Sequence, residues 1–396
     1  LEIEVTLADL LYADHHATTP LDPGVYEAMR PWLAGLAANP SSVHAPGRAA
    51  RAAVENARAE VAGLIGADPA GIVFTSGGTE ADNLAVRGGA RAARAADPSR
   101  LEVRYTAAEH AAVREAALSL AADGFTALEL PVDAQGVPPG GSGAGPRTAL
   151  VSAILASNET GAVFEGLAAF AEDARKAGAL VHTDAVQAAG KIPVDVASLG
   201  VDLLSLTAHK FGGPKGAGAL WVRPGVTLAP LAAGGGQERG RRGGTENVAA
   251  LVGLGEAARV ARRHLAEEGA RLAALRDRLE AGLLAAVTGA RVNAAAGRRV
   301  PTCASVVFPG AVAETLVAAL DLEGIAVSAG SACHAGTTAP SRVLLALGLA
   351  PADARATLRI SFGRTSGEED VDRLLDVVPR VVARVRRADG TSVKSA

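Results

Sequence analysis

From Ile72 to Val222 the chain alternates short, almost uninterrupted apolar runs with stretches of helical spacing, and few folds tolerate that alternation. Ile72-Val73-Phe74-Thr75, Leu101 to Tyr105, Thr148 to Ala156, Leu180-Val181-His182-Thr183, Val201 to Leu206 and Ala217 to Val222 read as strands. Glu80 to Arg94, Ala111 to Ala122 and Leu167 to Ala177 read as helices between them. Strands without polar alternation are covered on both faces, so the pattern predicts an α/β fold with a mainly parallel sheet between helices. Upstream, Leu10 to Ala13 reads as a short strand, and Val25 to Leu36 and Gly47 to Ile65 as helices. The Pro- and Gly-rich stretch Gly136 to Pro146 reads as a surface loop.

After Asn247 the pattern changes. Val248 to Val287 is one long helical stretch whose charged residues, Arg262 to Asp277, read as a solvated face. A smaller α/β unit starts near Arg291, with strands around Ser305 to Phe308 and Leu358 to Ser361. The 396 residues are expected to divide into a large unit, 14–262, and a small unit built from 1–13 and 263–390.

Composition narrows the function classes. A net charge of −3 gives no electrostatic footprint for nucleic acid or an anionic membrane. No apolar run approaches the roughly 20 residues of a membrane span. Leu1-Glu2-Ile3-Glu4-Val5 is acidic where a secretory leader would be basic. With two cysteines, Cys303 and Cys333, no disulfide framework is expected, and a cytoplasmic setting follows.

The chemistry gathers around Ser205-Leu206-Thr207-Ala208-His209-Lys210-Phe211-Gly212-Gly213. A strand ends here on a hydroxyl, a histidine and a lysine. A surface lysine in a turn is the bland reading. A Schiff-base lysine needs this same setting, with a rigid amine close to an anion site. Gly77-Gly78-Thr79, between strand and helix, can bring backbone amides to one phosphate; it is neither a dinucleotide fingerprint nor a P-loop. Asp184 ends an apolar strand, either as a helix cap or as the partner of a protonated ring nitrogen; Gln187 is three residues on. His110 opens a helix and either caps it or stacks on a planar ring. Arg359 is a charge inside an apolar strand. It has either a buried carboxylate partner or, lacking one, a substrate carboxylate. Cys333, among small residues and glycines, is the expected nucleophile, and Cys303 the buried structural thiol. Histidines and cysteines at zinc-site spacing are lacking, so no intrinsic metal is expected.

Taken in order, YADHHATTPLDP, NPSSVH, FTSGGTEADNLA, AEH, SNETGAV, HTDAVQAAGK, TAHKFGGPKG, RRGGTEN, SAGSACHAG and RISFGR resemble the cysteine desulfurases of the NifS/IscS type, group I, over Tyr12 to Asp372. These are class V aminotransferases of PLP fold-type I. The resemblance implies a seven-stranded sheet and pyridoxal 5'-phosphate held by Lys210. It implies phosphate contacts from Gly78, Thr79, Thr207 and His209, and from Thr245 across a homodimer, with Ala208 and Asn158 also binding the cofactor. Asp184 would meet the ring nitrogen, Gln187 the ring oxygen, and His110 the ring face. Asn158 and Arg359 would position L-cysteine, Lys210 would move its α-proton, and Cys333 would take its sulfur. An acceptor protein, either an iron–sulfur scaffold or a sulfur carrier, would receive that sulfur. Ser157, Phe164 and the short loop Gly136 to Pro146 depart from the usual pattern. The competing readings are an aminotransferase or selenocysteine lyase on the same fold, and a non-catalytic sulfur-assembly scaffold.

Overall fold

The structure is a computed structural model that describes residues 10–330 and 339–388; Cys333 therefore lies outside the described residues. Thirteen strands occur among the described residues, beginning with β1 (Leu11–Tyr12). The central sheet uses β2 (Ile72–Thr75), β3 (Glu102–Thr106), β4 (Thr126–Leu130), β5 (Thr148–Ser152), β6 (Leu180–Asp184), β7 (Leu203–Thr207) and β8 (Gly218–Val222). Their order is β2-β8-β7-β6-β5-β3-β4, seven strands as expected. Neighbours from β4 to β7 are parallel, and β8 alone runs antiparallel to both its neighbours.

The uninterrupted apolar runs have a direct cause. Successive side chains leave opposite faces of a strand. Leu150, Leu203 and Leu220 join one core, while Val151, Leu204 and Ala219 join the other. Helices cover both, so each position is buried, and truncating one such leucine to alanine costs about 2–5 kcal/mol.

Three local readings needed correction. β4 was missed because it is a half-exposed edge strand, with Thr126 and Glu129 facing solvent. Thr148 to Ala156 leaves the sheet after Ser152, although Leu155 N–H still donates to Asp184 O at 2.9 Å. The helix expected over Glu80 to Arg94 is α-helical at Gly78–Asn83, widens into a π turn at Leu84–Gly88, and resumes at Gly89–Ala96. Such widenings are frequent at functional sites.

The second unit is a four-stranded antiparallel sheet, β12-β13-β10-β9, formed by β9 (Arg291–Val292), β10 (Cys303–Val307), β12 (Ser328–Ala329) and β13 (Thr357–Ser361). β1 pairs in parallel with β11 (Ile325–Ala326), and Leu11 and Ala13 pack in this unit's core. The helix Val248–Ala286 runs unbroken across both cores, with Leu251, Leu254 and Ala261 in the first and Leu272, Leu279 and Leu283 in the second. The sequence boundary at 262/263 falls inside this helix. Among the described residues, no helix is long and apolar enough to cross a membrane.

This architecture gathers the carboxyl ends of β3, β5, β6 and β7 at one edge, where open α/β sheets bind ligands. Gly218 lets the turn after β2 join them: a Cβ there would lie 2.6 Å from Gly77 C. The segment Asp14 to Thr19 crosses this edge, pinned to β13 by Ser361 N–H donating to Ala13 O (2.8 Å) and His16 N–H donating to Ser361 Oγ (2.9 Å).

Candidate active site

A cavity of about 330 Å³ opens at that edge, lined by His16, Gly78, Thr79, Asp82, His110, Asn158, Asp184, Gln187, Thr207, His209, Lys210 and Arg359 among others. Lys210 closes the short turn Ala208–Lys210 after β7. Its Nζ donates to His16 O and, at 2.8 Å, to Ala17 O. The turn is clasped by Thr19, whose N–H and Oγ1 both donate to His209 O (2.8 and 3.0 Å). The polar loop after β1 is therefore the cradle of the lysine, a role its sequence alone did not disclose. His209 Nδ1 lies 3.2 Å from Thr18 Oγ1, and burial with the nearby Lys210, Lys215 and Lys191 lowers its pKa to about 4. It is a neutral imidazole at neutral pH.

Asp184 ends β6 and is 4% exposed. Val186 N–H donates to its Oδ1 at 2.8 Å, the local turn that a capping reading anticipates. Burial raises its pKa, opposed by His110 and Lys210. His110 does cap Ala111–Ser119: Ala112 N–H donates to its Nδ1 at 3.1 Å. Nδ1 is thus an acceptor, which leaves the neutral ring's hydrogen on Nε2. The cap reading and the ring reading are compatible, because the cap orients the imidazole.

Gln187 Nε2 donates to His16 O at 2.9 Å, and its Oε1 accepts from Lys191 Nζ. One amide hydrogen remains for a ligand. His16 is buried, with Nδ1 3.3 Å from Asn158 O and Nε2 2.9 Å from Thr302 Oγ1. A carbonyl only accepts, so Nδ1 carries the hydrogen. Burial and the charges of Lys191, Arg359 and Lys210 lower its pKa and keep it neutral. Asn158 Oδ1 is buried without a hydrogen-bond partner.

Arg359 has the carboxylate partner that the strand context anticipates. Its Nη2 donates to Asp14 Oδ1 at 2.8 Å and its Nη1 to Asn158 O at 3.0 Å. The sequence argument for a substrate carboxylate assumed no such partner. What keeps Arg359 in the site is its place on the cavity wall and its Nε, buried and unpartnered. Thr207 Oγ1 donates to Ala217 O at 3.0 Å, and Ala208 is fully buried. Thr245 is exposed and does not line the cavity. Its segment approaches the glycine turn through Arg242, whose Nε donates to Glu80 Oε1 at 2.8 Å. Cys303 is fully buried, and burial pushes its pKa up to about 11, so it is an unreactive thiol.

Sequence reasoning passed over Asp14, His16, Lys191, Asp82 and Glu109. All sit inside the quoted motifs, but nothing in one sequence separates a buried charge from a surface one. Asp82, His110 and Asp184 bring potential ligand atoms within 4.8 Å of one another. Groups so close can hold a cation or share protons. Lys210 and Arg359 already bring positive charge to this cavity, which favours the second.

Residues 11–374 match the model of the aminotransferase class-V family. A cysteine desulfurase of Cereibacter sphaeroides is 46% identical over 383 residues, covering 95% of this chain and 96% of the relative. A solved NifS-like protein superposes with a TM-score of 0.86 at 34% identity, covering 95% of this chain and 100% of its own. A structure described as SspA in complex with cysteine gives a TM-score of 0.77 at 33% identity, covering 89% and 98%. The chain belongs to the class-V aminotransferase family, as a pyridoxal-phosphate-dependent cysteine desulfurase of the NifS/IscS type.

Proposed function

We propose that the enzyme removes sulfur from L-cysteine, releases L-alanine, and stores the sulfur on the Cys333 thiol as a persulfide for an acceptor protein. The balance is redox-neutral: thiol plus cysteine gives persulfide plus alanine. The observation that carries this reading is the convergence of Lys210, Asp184, His110, Asn158 and Arg359 on one cavity from separate elements. The solved relative described with cysteine supports the substrate.

The residues present suit pyridoxal phosphate. The cavity offers an amine, a buried carboxyl at a strand end, and the unpartnered buried atoms Asn158 Oδ1 and Arg359 Nε. Lys210 would hold the cofactor. Gly78, Thr79, Thr207, Ala208 and His209 would surround its phosphate, Asp184 its ring nitrogen, Gln187 its ring oxygen and His110 its ring face. When bound, it supplies an electron sink for the carbon that loses a proton. Lys210 Nζ would move that proton at the substrate Cα. Asn158 and Arg359 orient the substrate carboxylate. Thr245, outside the cavity, serves the phosphate of a second subunit in a homodimer. The acceptor is an iron–sulfur scaffold or a sulfur carrier, and a reducing compartment such as the cytoplasm keeps Cys333 available.

The test is alanine and sulfide production from L-cysteine by purified enzyme, beside Cys333→Ala. The variant should keep the cofactor's absorbance and lose sulfide release. A wild-type protein that binds the cofactor yet forms no alanine would sink the proposal.

A further inference from the structure

Below Asp184 the sheet carries polar side chains that the reaction does not touch. Ser152 of β5 donates through Oγ to Glu109 Oε1 at 2.8 Å and lies 2.9 Å from His182 Nδ1 on β6. His182 Nε2 lies 3.0 Å from Ser205 Oγ on β7 and 3.6 Å from Asp82 Oδ1 on the helix Gly78–Asn83. The two serines and the histidine are fully buried; Asp82 is 1% and Glu109 4% exposed. Parallel strands are normally filled with apolar side chains, and polar groups there are costly unless joined. The Ser205 hydroxyl is in turn hydrogen-bonded to the Asp82 carboxyl, which joins the groups end to end, and each end is a carboxyl with an unpartnered oxygen, Asp82 Oδ1 and Glu109 Oε2.

A neutral imidazole donates from one nitrogen and accepts at the other, and a hydroxyl donates once. Two arrangements satisfy the chain. With Glu109 ionised, Ser152 donates to it, His182 Nδ1–H donates to Ser152, Ser205 donates to Nε2, and Asp82 holds a proton. With Asp82 ionised, every proton has moved one link: Glu109 holds a proton, Ser152 donates to Nδ1, and Nε2–H points to Ser205. Each bond broken is matched by one formed, and no net charge moves in or out.

We propose that Glu109, Ser152, His182, Ser205 and Asp82 form one buried proton-sharing wire beneath Asp184, through which the charge next to Asp184 relocates without solvent. They are positioning residues, acting on the cofactor ring through Asp184, so their role in the reaction rests on the reading above. The surrounding charges agree. Burial raises the pKa of Glu109 and Asp82, and Asp184 raises both further. Ile154 N–H and Ser152 face Glu109, Ser205 and Glu109 face Asp82, His110 and Lys210 face Asp184, and His110 lies close to Asp82 as well. His182 stays neutral, its pKa lowered to about 3 by burial.

Infrared difference spectra of the holoenzyme give the primary test. The carbonyl stretch of a protonated buried acid should be present at neutral pH and should be altered by Asp82→Asn. Glu109→Gln should shift the Asp82 band, and His182→Phe should abolish that coupling. Coupling that survives His182→Phe, or no coupling at all, overturns the wire in favour of simple through-space repulsion or isolated acids. If His182→Phe fails to fold, Ser152→Ala with Ser205→Ala cuts the same links and keeps the imidazole. The second readout is the pH midpoint of the bound cofactor's absorbance, expected to move by about half a unit or more when the wire is cut. An unmoved midpoint would reduce the residues to a structural role. A protein that binds no cofactor would refute the functional reading, while the infrared coupling would still decide the wire.

Discussion

The two sides of the cavity carry opposite charge. Its floor, built on the sheet, holds Asp184 with Asp82 and Glu109; on top of the effect of burial, Asp184 raises the pKa of both, and Glu109 raises that of Asp82. Its wall, built from the Asp14 to Thr19 crossing, β13 and the turn after β7, holds Lys210, Arg359 and, behind them, Lys191. There burial and mutual repulsion lower the pKa of Lys191 and His16. Each side answers crowding in the same way, by keeping some members neutral. The floor and wall also differ in origin, since the wall is completed by residues from both ends of the chain. A ligand with a cationic ring nitrogen and an anionic carboxylate fits this polarity in one orientation only.

The comparison breaks most completely at the lysine. Lys210→Ala removes the proton carrier and the cofactor's anchor, and alanine formation should fall by at least about 10⁴-fold. Absorbance and turnover on the purified variant check this; retention of even a tenth of the activity would contradict the role. On the same wall, Arg359→Lys keeps the charge and loses the planar fork. KM for L-cysteine should rise about 10- to 100-fold with a smaller change in kcat, as expected for losing charge-assisted hydrogen bonds. A fall in kcat at constant KM would move Arg359 out of substrate binding and leave it as the partner of Asp14.

On both sides the sequence disclosed the residues that strands place, Asp184 and His110 on the floor and Lys210 and Arg359 on the wall, and missed Asp82, Glu109 and Lys191 around them. Asp184 and His110 follow apolar strands directly, so their positions at the sheet edge came with the strand assignments. The glycine turn at Gly77-Gly78 was visible for the same reason. The wall depends on contacts between residues far apart in sequence: Asp14 with Arg359, and His16 and Ala17 with Lys210. No local periodicity encodes such contacts. Lys191 reads as an ordinary turn lysine until Gln187 Oε1 and the helix packed behind it show it buried. β4 escaped for a different reason, since an edge strand needs little apolar character.

Glu159 sits where floor and wall meet, and it sharpens the contrast. It is 8% exposed, and burial raises its pKa to about 7, opposed by the Ser341 hydroxyl, Arg359 and His110. The folded state therefore binds the proton more tightly than the unfolded chain. The resulting stability is present below about pH 4.5 and is lost as pH rises through about 7, a change of about 3 kcal/mol at most. Glu159→Gln should lack this slope, so its melting temperature relative to wild type should rise between about pH 5 and pH 8. Parallel melting curves across that range would place Glu159 in contact with solvent.

Lys191→Met gives the smallest net effect and the clearest sign. The substitution removes a buried amine and leaves Gln187 Oε1 without its donor, a loss of about 1–3 kcal/mol. It also removes the cost of holding a lysine in a site where burial, Lys210 and Arg359 depress its pKa. The two terms oppose, so stability at neutral pH should change by no more than about 2 kcal/mol. The pH dependence separates them. Because burial, Lys210 and Arg359 hold the folded pKa well below the ordinary one, the folded lysine gives up its proton at lower pH than the unfolded one, so the unfolded state binds more protons over that interval and wild-type stability rises with pH up to about 10.5. The methionine variant has no such slope. Wild type should therefore gain on the variant as pH rises towards about 10, read from thermal melts of both proteins. Equal slopes would mean that Lys191 is charged in the folded protein, and the wall would then carry its cations paired rather than discharged.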